Sequence, residues 1–382
     1  MRRAARSAVA VGIFGVLGVL GIARVADAGP WTVTMEGGAE ADSNVARVET
    51  GSGLPNERVT APVGRAGARI GHRGQLLGGG YILAASGLGR WVASGKVDNE
   101  NVMLYAVDAR WLHPIESRPV AVGVGITASD SFAITGGTGA RTFRNLGGDA
   151  VVVLGSGDDR HLTLAAGGRD FSYKPDHMFD WRGPIANARL DVALWQGAAR
   201  SRSLELTTVL DVEARTYASI AQKNVCPPGS RPSTTCTNSS TATRADRFQR
   251  ASLDLTWTGD VVATAGYQLT VVDSNSYGQS LIRHRVMMSV TAELIDKLFG
   301  SATATLQLDQ YPDGRVVEKD IQHIEFQNLD DENRSSLQVR IARELSSSWS
   351  LEARAAVWRD FDTTGTASFR RELVYAGIIY SL

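Results

Sequence analysis

Apolar and polar residues alternate one by one along most of this chain. In Trp349 to Asp360, Trp349, Leu351, Ala353, Ala355 and Val357 fall on one side, and Ser350, Glu352, Arg354 and Asp360 on the other. Leu337, Val339, Ile341 and Leu345 alternate with Gln338, Arg340 and Glu344. The same alternation runs through Ala302 to Asp309, through Val261 to Val271, and through Leu204 to Arg215. A period of two places successive side chains on opposite faces of a strand, whereas a helix would repeat every 3.6 residues. The pattern predicts strands over 31–41, 64–73, 76–88, 101–112, 118–129, 141–155, 160–173, 184–195, 203–218, 244–257, 260–273, 279–294, 300–311, 333–345, 348–361 and 368–382.

The connections alternate in length. Arg73-Gly-Gln75, Thr258-Gly-Asp260 and Ser346-Ser-Ser348 read as short turns, while Asp42 to Val63, Ser219 to Thr243 and Pro312 to Asn333 read as long loops. The predicted strands are also longer than the roughly five or six residues usual in globular sheets. Long strands with short turns at one end and long loops at the other describe an all-β, closed, antiparallel transmembrane barrel. The count is about sixteen strands, with fourteen or eighteen as alternatives. A soluble β-sandwich alternates too, but neither the strand length nor the loop alternation fits it. The last eleven residues, ELVYAGIIYSL, carry Val374, Ala376, Ile378, Tyr380 and Leu382 at every second position and have no polar tail. Unpaired strand edges are costly in lipid, so this strand is expected to pair with the first, near Trp31 to Ala41.

The chain opens with Arg2, Arg3 and Arg6, continues with an apolar stretch from Ala8 to Ala23, and reaches Ala26-Asp27-Ala28. That order is the pattern of a secretory signal peptide over residues 1–28, leaving 29–382 as the barrel. Beyond it no apolar run reaches 18 residues, so no transmembrane helix is expected. The whole chain carries 40 basic and 40 acidic residues. Removing four Arg (2, 3, 6 and 24) and Asp27 leaves 36 against 39, a net of −3, which gives no footprint for a nucleic-acid partner. Cys226 and Cys236 bracket a polar stretch of an exported chain, and a local disulfide is expected between them.

If the apolar alternates face lipid, their neighbours face the lumen. That predicts a lining of Asp108, Arg110, Arg189, Asp191, Asp211, Glu213, Arg215, Arg250, Asp254, Arg283, Arg285, Asp309, Arg340, Glu344, Glu352, Arg354 and Asp360. So many charges of both signs require water or pairing, and a sixteen-strand barrel leaves an aqueous channel. Trp195, Tyr217 and Trp358 are the aromatics expected in the lumen. Trp31, Trp111, Trp181, Trp195, Trp257 and Trp349 lie near strand ends and suit interfacial girdles. Asp42-Ser43-Asn44 and Asp273-Ser274-Asn275 read as Asx-type turns rather than calcium or sugar sites. His177 with Asp180 and His323 with Glu325 are lone pairs, so no metal site is assigned. No G-x-S-x-G or H-E-x-x-H occurs, so neither catalytic residues nor a cofactor are assigned.

WTVTMEGGAEADSNV resembles the first strand and loop of barrels that end exopolysaccharide-export systems. DDENRSSLQVRIARELSSSWSLEARAAVWRDF, with FRRELVYAGIIYSL, resembles the last strands of outer-membrane barrels from myxobacteria and their relatives. The final stretch also resembles the signal read by the barrel-assembly machinery, with Leu382 where a terminal aromatic is usual. The resemblance implies residence in outer-membrane lipid, insertion by that machinery, and a pore for a secreted polysaccharide served by a periplasmic polysaccharide-export protein. A general solute porin, and a non-conducting receptor, adhesin or structural barrel, remain open beside it.

Overall fold

The computed structural model describes residues 31–50, 57–97, 100–116, 118–135, 141–155, 159–197, 201–227, 237–313, 334–360 and 368–382. The expected signal peptide lies outside these residues. The chain forms a closed antiparallel barrel in which each strand pairs with its sequence neighbours and β1 pairs with β16. The strands are β1 (Trp31–Asp42), β2 (Ala61–Leu76), β3 (Gly79–Val92), β4 (Val102–Pro114), β5 (Val120–Ala133), β6 (Phe143–Gly155), β7 (Arg160–Tyr173), β8 (Trp181–Gln196), β9 (Ser203–Asn224), β10 (Thr237–Thr258), β11 (Val261–Ser274), β12 (Leu281–Ile295), β13 (Leu298–Gln310), β14 (Ser335–Glu344), β15 (Trp349–Arg359) and β16 (Arg370–Ser381). A one-turn 3-10 helix, His177–Phe179, lies between β7 and β8.

Closure runs from Thr34 opposite Ser381 to Asp42 opposite Leu373. It extends to the last residue, whose amide donates to the Val33 carbonyl at 2.9 Å. The outward row Val374, Ala376, Ile378, Tyr380 and Leu382 thus continues the apolar exterior, which also presents Met35, Ile126, Leu210, Met288, Leu337 and Leu351. A closed barrel that turns its large apolar residues outward is built for lipid, because no edge is left unpaired there.

Three expectations are corrected. Arg73-Gly-Gln75 is part of β2, and the turn lies at Leu77-Gly78, with φ of 52° and 74°. Both residues take the left-handed conformation a two-residue I′ hairpin requires, which Gly78 allows without strain. Gly74, which suggested the turn, instead sits beside Tyr81, whose hydroxyl would lie 2.8 Å and ring 2.9 Å from an added Cβ. The expected loop Ser219 to Thr243 is strand at both its ends, since β9 runs to Asn224 and β10 starts at Thr237, and residues 228–236 lie outside the described residues. Its Ser and Thr residues read as loop, but threonine is β-branched and favours strands. The upper parts of β9 and β10 project past their neighbours, because β8 pairs β9 only as far as Tyr217 and β11 pairs β10 only as far as Asp246. Most of Pro312 to Asn333 lies outside the described residues, as do His323, Glu325 and Cys236.

The third correction concerns tryptophan. Trp31, Trp111, Trp195, Trp257 and Trp349 do face outward, but all at the end that holds the short turns, the start of β1 and the end of β16. There Trp31 meets His72, Trp195 stacks on Trp257 at 5.6 Å, and Trp349 meets Tyr380. The opposite rim has Trp91 and a stacked Tyr105–Phe132 pair. Trp181 belongs to neither girdle. It is buried and faces inward, as its pairing with inward Phe171 and Tyr217 requires. Trp195 faces lipid and not the lumen, whereas Tyr217 and Trp358 are inward and buried.

Candidate functional site

Alternation places every predicted lumen charge that lies on a strand on the inward face, and the registers bring most of them into pairs. Arg283 of β12 lies opposite Asp309 of β13, with guanidinium and carboxylate meeting through two bonds of 2.8 and 2.7 Å. Arg189 and Asp191 pair along β8, again through two bonds of 2.8 Å, and Thr207 donates to the same carboxylate at 2.7 Å. Glu213 holds Arg215 at 2.6 Å and Arg169 at 3.5 Å. Arg110 reaches Asp149 at 3.6 Å across the intervening strand β5, where Gly125 leaves the room. Asp108 shares the inward face of β4 with Arg110. Arg250 stands 4.0 Å from Asp211, which also accepts from Asn187.

Arg340 pairs with Glu352. Arg354 lies beside Arg340 in register and over the Tyr375 ring, 5.0 Å from its centroid. Asp254 faces Gly266, and Arg285 faces Gln307. Glu344 closes the inner end of β14 and is exposed. Asp360 stands apart, just beyond β15, where it binds Arg334 at 2.6 Å. These pairs join positions on the same, adjacent or next-but-one strands, so they lie along the wall. Bidentate and charge-assisted contacts of this kind neutralise the charges in place.

Sequence reasoning passed over a second group of inward charges nearer the outer end, around the closing seam. Asp42 is fully buried and takes Arg90 at 2.6 Å and Arg371 at 2.8 Å. Arg90 also binds Glu40 at 3.0 Å, and Arg65 binds Glu36 at 3.0 Å. These acids alternate with Trp31, Val33 and Met35 in β1, so the signal was present. It was masked because Gly37, Ala39 and Ala41 make the outward row of that strand look weak. The Asx-turn reading of Asp42-Ser43-Asn44 holds, since the Asn44 amide donates to Asp42 Oδ1 at 2.9 Å. In the second DSN stretch the Asx-turn reading is corrected: the local bond is made by Ser274, whose Oγ accepts from the Ser276 amide at 3.1 Å, while Asn275 binds the amide of Ala245 and the carbonyl of Thr243 across the strands, at 2.9 Å each.

Aromatic residues form a third inward group. Phe143, Phe171 and Trp181, on three consecutive strands, stack at 5.8 and 5.6 Å with interplanar angles of 20° and 16°. The Arg215 guanidinium continues the stack, 4.2 Å from the Trp181 ring and 3.8 Å from Phe248. Arg244 covers Tyr217 at 4.2 Å and pairs with Asp246 at 2.7 Å. The rings thus spend their faces on one another and on arginine.

At the outer mouth, loop residues pack against the inner wall. Val45 and Val97 join Val63 and Val92 in one buried cluster. Phe179 packs against the cluster of Val102, Leu104, Phe143 and Tyr173. Phe369 joins Trp358, Leu373 and Tyr375. The described histidines are scattered: His72 and His284 face outward beside Tyr81 and Tyr267, and His177 bonds Asp180 at 2.9 Å. Among the described residues no group of three or more His, Cys, Asp or Glu could hold a metal ion.

No protein-family model matches the chain, and a search of curated proteins returned no match. Solved structures similar to it include OccAB1 of Acinetobacter baumannii, at 10% identity and TM-score 0.46 over 92% of this chain and 96% of that one. A structure described as a bacterial polysaccharide outer membrane secretin is similar at 7% identity and TM-score 0.43, over 92% and 98%. A loop-deletion mutant of OmpT, an outer membrane protein of Vibrio cholerae, is similar at 10% identity and TM-score 0.42, over 93% and 100%. The closed barrel with its lipid-facing exterior is an outer-membrane protein.

Proposed function

We propose that the barrel is an outer-membrane pore that passes a neutral, hydroxyl-rich chain, a secreted polysaccharide, handed over at the short-turn end by a periplasmic export partner. The observation that carries this reading is the inner wall: arginine and carboxylate side chains are paired along it, with both signs present throughout. Such a wall offers many donors and acceptors but little net charge, so it hydrates hydroxyl groups without retaining ions of one sign. The aromatic rings are stacked on each other, so a passing sugar meets no open ring face that would hold it. The disulfide expected between Cys226 and Cys236 belongs to this reading as a brace for the projecting β9–β10 hairpin.

A second reading has one observation in its favour. Val45, Val97, Phe179 and Phe369 pack loops against the inner wall at the mouth. A mouth shut by these loops would make a non-conducting barrel that works through its surface. Single-channel conductance of the purified protein, together with polysaccharide export in a deletion strain, separates the readings. Conductance together with lost export supports the proposal. Conductance with normal export replaces it by a solute pore, and a silent barrel with normal export replaces it by the surface role.

A further inference from the structure

The outward residues measure how deep the barrel sits in lipid. On β8 every outward residue from Pro184 to Leu194 is apolar. Ten residue steps along a strand tilted about 40° rise roughly 26 Å, which matches the apolar band of an outer-membrane barrel. The next outward residue toward the outer end is Arg182. On β10, Arg247 stands ten steps from the outward Trp257, at the same boundary. Both arginines are exposed, and they flank β9 two residues out of step, opposite Thr216 and Ala214, so their backbones lie about 12 Å apart.

Each has an acid as register partner: Asp170 lies opposite Arg182, and Asp273 opposite Arg247. All four side chains are exposed, yet among the described residues none closes an ion pair or a side-chain hydrogen bond. At a similar level elsewhere, outward charges do pair, as Arg144 with Asp130 at 2.9 Å and Arg370 with Glu372. On β1 to β4 the corresponding rim is apolar, with Ala41, Pro62, Trp91 and Met103 facing out. Arg359 of β15 is also outward, exposed and unpaired among the described residues, but its register partner is Arg370. The unclosed acid–arginine pairs are therefore those of β7–β8 and β10–β11, at the depth of lipid headgroups.

We propose that Arg182 and Arg247 form a site for the phosphate-bearing headgroup of an outer-leaflet lipid, with Asp170 and Asp273, on the two flanks of that pair, each joining through its own divalent cation. Guanidinium groups match phosphate in geometry and charge. The acids would otherwise repel the headgroup, and a divalent cation between each acid and the headgroup turns them into contacts. The acyl chains then lie on the apolar strip below, from Pro184 toward Leu194, where no further contact is needed for depth.

The test is native mass spectrometry of the full-length purified barrel in micelles doped with phosphatidic acid, with and without Mg²⁺. Wild-type protein is expected to keep bound phosphatidic acid. The R182A/R247A variant should bind roughly 30-fold more weakly, the factor for losing two arginines at an anionic surface. R182K/R247K should recover part of that loss, and D170N/D273N should lose only the Mg²⁺ dependence. Folding is checked by unchanged heat stability in undoped micelles; should R182A/R247A fail that check, R182Q/R247Q replaces it. Equal lipid retention by wild type and the charge-free variant overturns the site. Complete displacement of phosphatidic acid by millimolar inorganic phosphate overturns the lipid as its occupant.

Discussion

Replacing Asp42 by alanine removes a carboxylate that touches both Arg90 and Arg371. Asp42 and Arg371 are fully buried, so the lost contact is not made up by water. Stripping one partner from a buried ion pair costs about 3–5 kcal/mol. The lower end applies here, because Arg90 keeps Glu40 at 3.0 Å. A loss of about 3 kcal/mol is a change of more than 100-fold in the unfolding equilibrium. Arg371→Met should cost less, about 1–3 kcal/mol, since Asp42 then keeps both Arg90 and the Asn44 amide. The assay is urea unfolding in lipid vesicles followed by tryptophan fluorescence, with the two variants measured beside wild type at an unchanged m-value. The D42A loss should persist at high salt, because buried pairs are poorly screened. A D42A barrel within about 0.5 kcal/mol of wild type, or a reversed order of the two variants, would refute the reasoning.

Four further outcomes are expected. Ala353→Arg places a charge on the exposed outer face of β15 and should cost roughly 2–4 kcal/mol, while Gln338→Arg on the inward face of β14 should cost much less in the same unfolding assay. Gly38→Ala would bring a Cβ to 2.4 Å from the Ala376 carbonyl and 2.7 Å from the Tyr375 ring, a loss of about 1–3 kcal/mol that should shrink in a Tyr375→Leu background. Glu352→Gln removes the carboxylate that faces Arg340, so the reversal potential of the pore in a salt gradient should move toward anion preference; an unmoved potential means the pair does not border the conducting path. Cys226→Ser with Cys236→Ser should assemble normally, with a loss of no more than about 2–3 kcal/mol if the bridge closes only its own short loop, as read from heat-resistant mobility on gels.

Alternation alone made most of the fold legible, for a physical reason. Lipid outside and water inside impose opposite polarity on successive residues, so Leu351, Ala353 and Ala355 could be assigned outward without any knowledge of their neighbours. The wall charges Arg283, Asp309, Arg340 and Glu352 were found by the same rule. Their pairing was not legible, because it depends on register, and register is set across strands far apart in sequence. β1 was under-read for a related reason: with Gly and Ala on its outward face, its acids stood out less than those of β15. The aromatic stack was missed because Phe143, Phe171 and Phe248 look lipid-facing by type. Only parity with Leu162, Leu164, Leu253 and Leu255 places them inside. Tyr375 is the plainest case, being apolar in bulk yet inward, because it fills the space left by Gly38 and Gly377.

The two ends of the barrel are built on different physics, and this bears on where passage through it would be controlled. At the inner end the strands are joined by turns as short as Leu77-Gly78 and Gly259-Asp260, which have no length with which to cover the bore. At the outer end, Asp42, Arg90 and Arg371 sit beneath the loop that carries Val45, and Arg90 Nη1 donates to the Val45 carbonyl at 3.5 Å. That loop also bridges Thr50 to Ser368, so the β1–β2 and β15–β16 connections are tied together. Arg334 adds a third tie by holding Glu49 at 2.5 Å and Asp360 at 2.6 Å. A mouth fastened by buried ion pairs and apolar contacts opens only at the cost of several such interactions at once. On the proposed reading, size selection therefore rests at this outer mouth, with the charged wall below it serving to hydrate the chain on its way there.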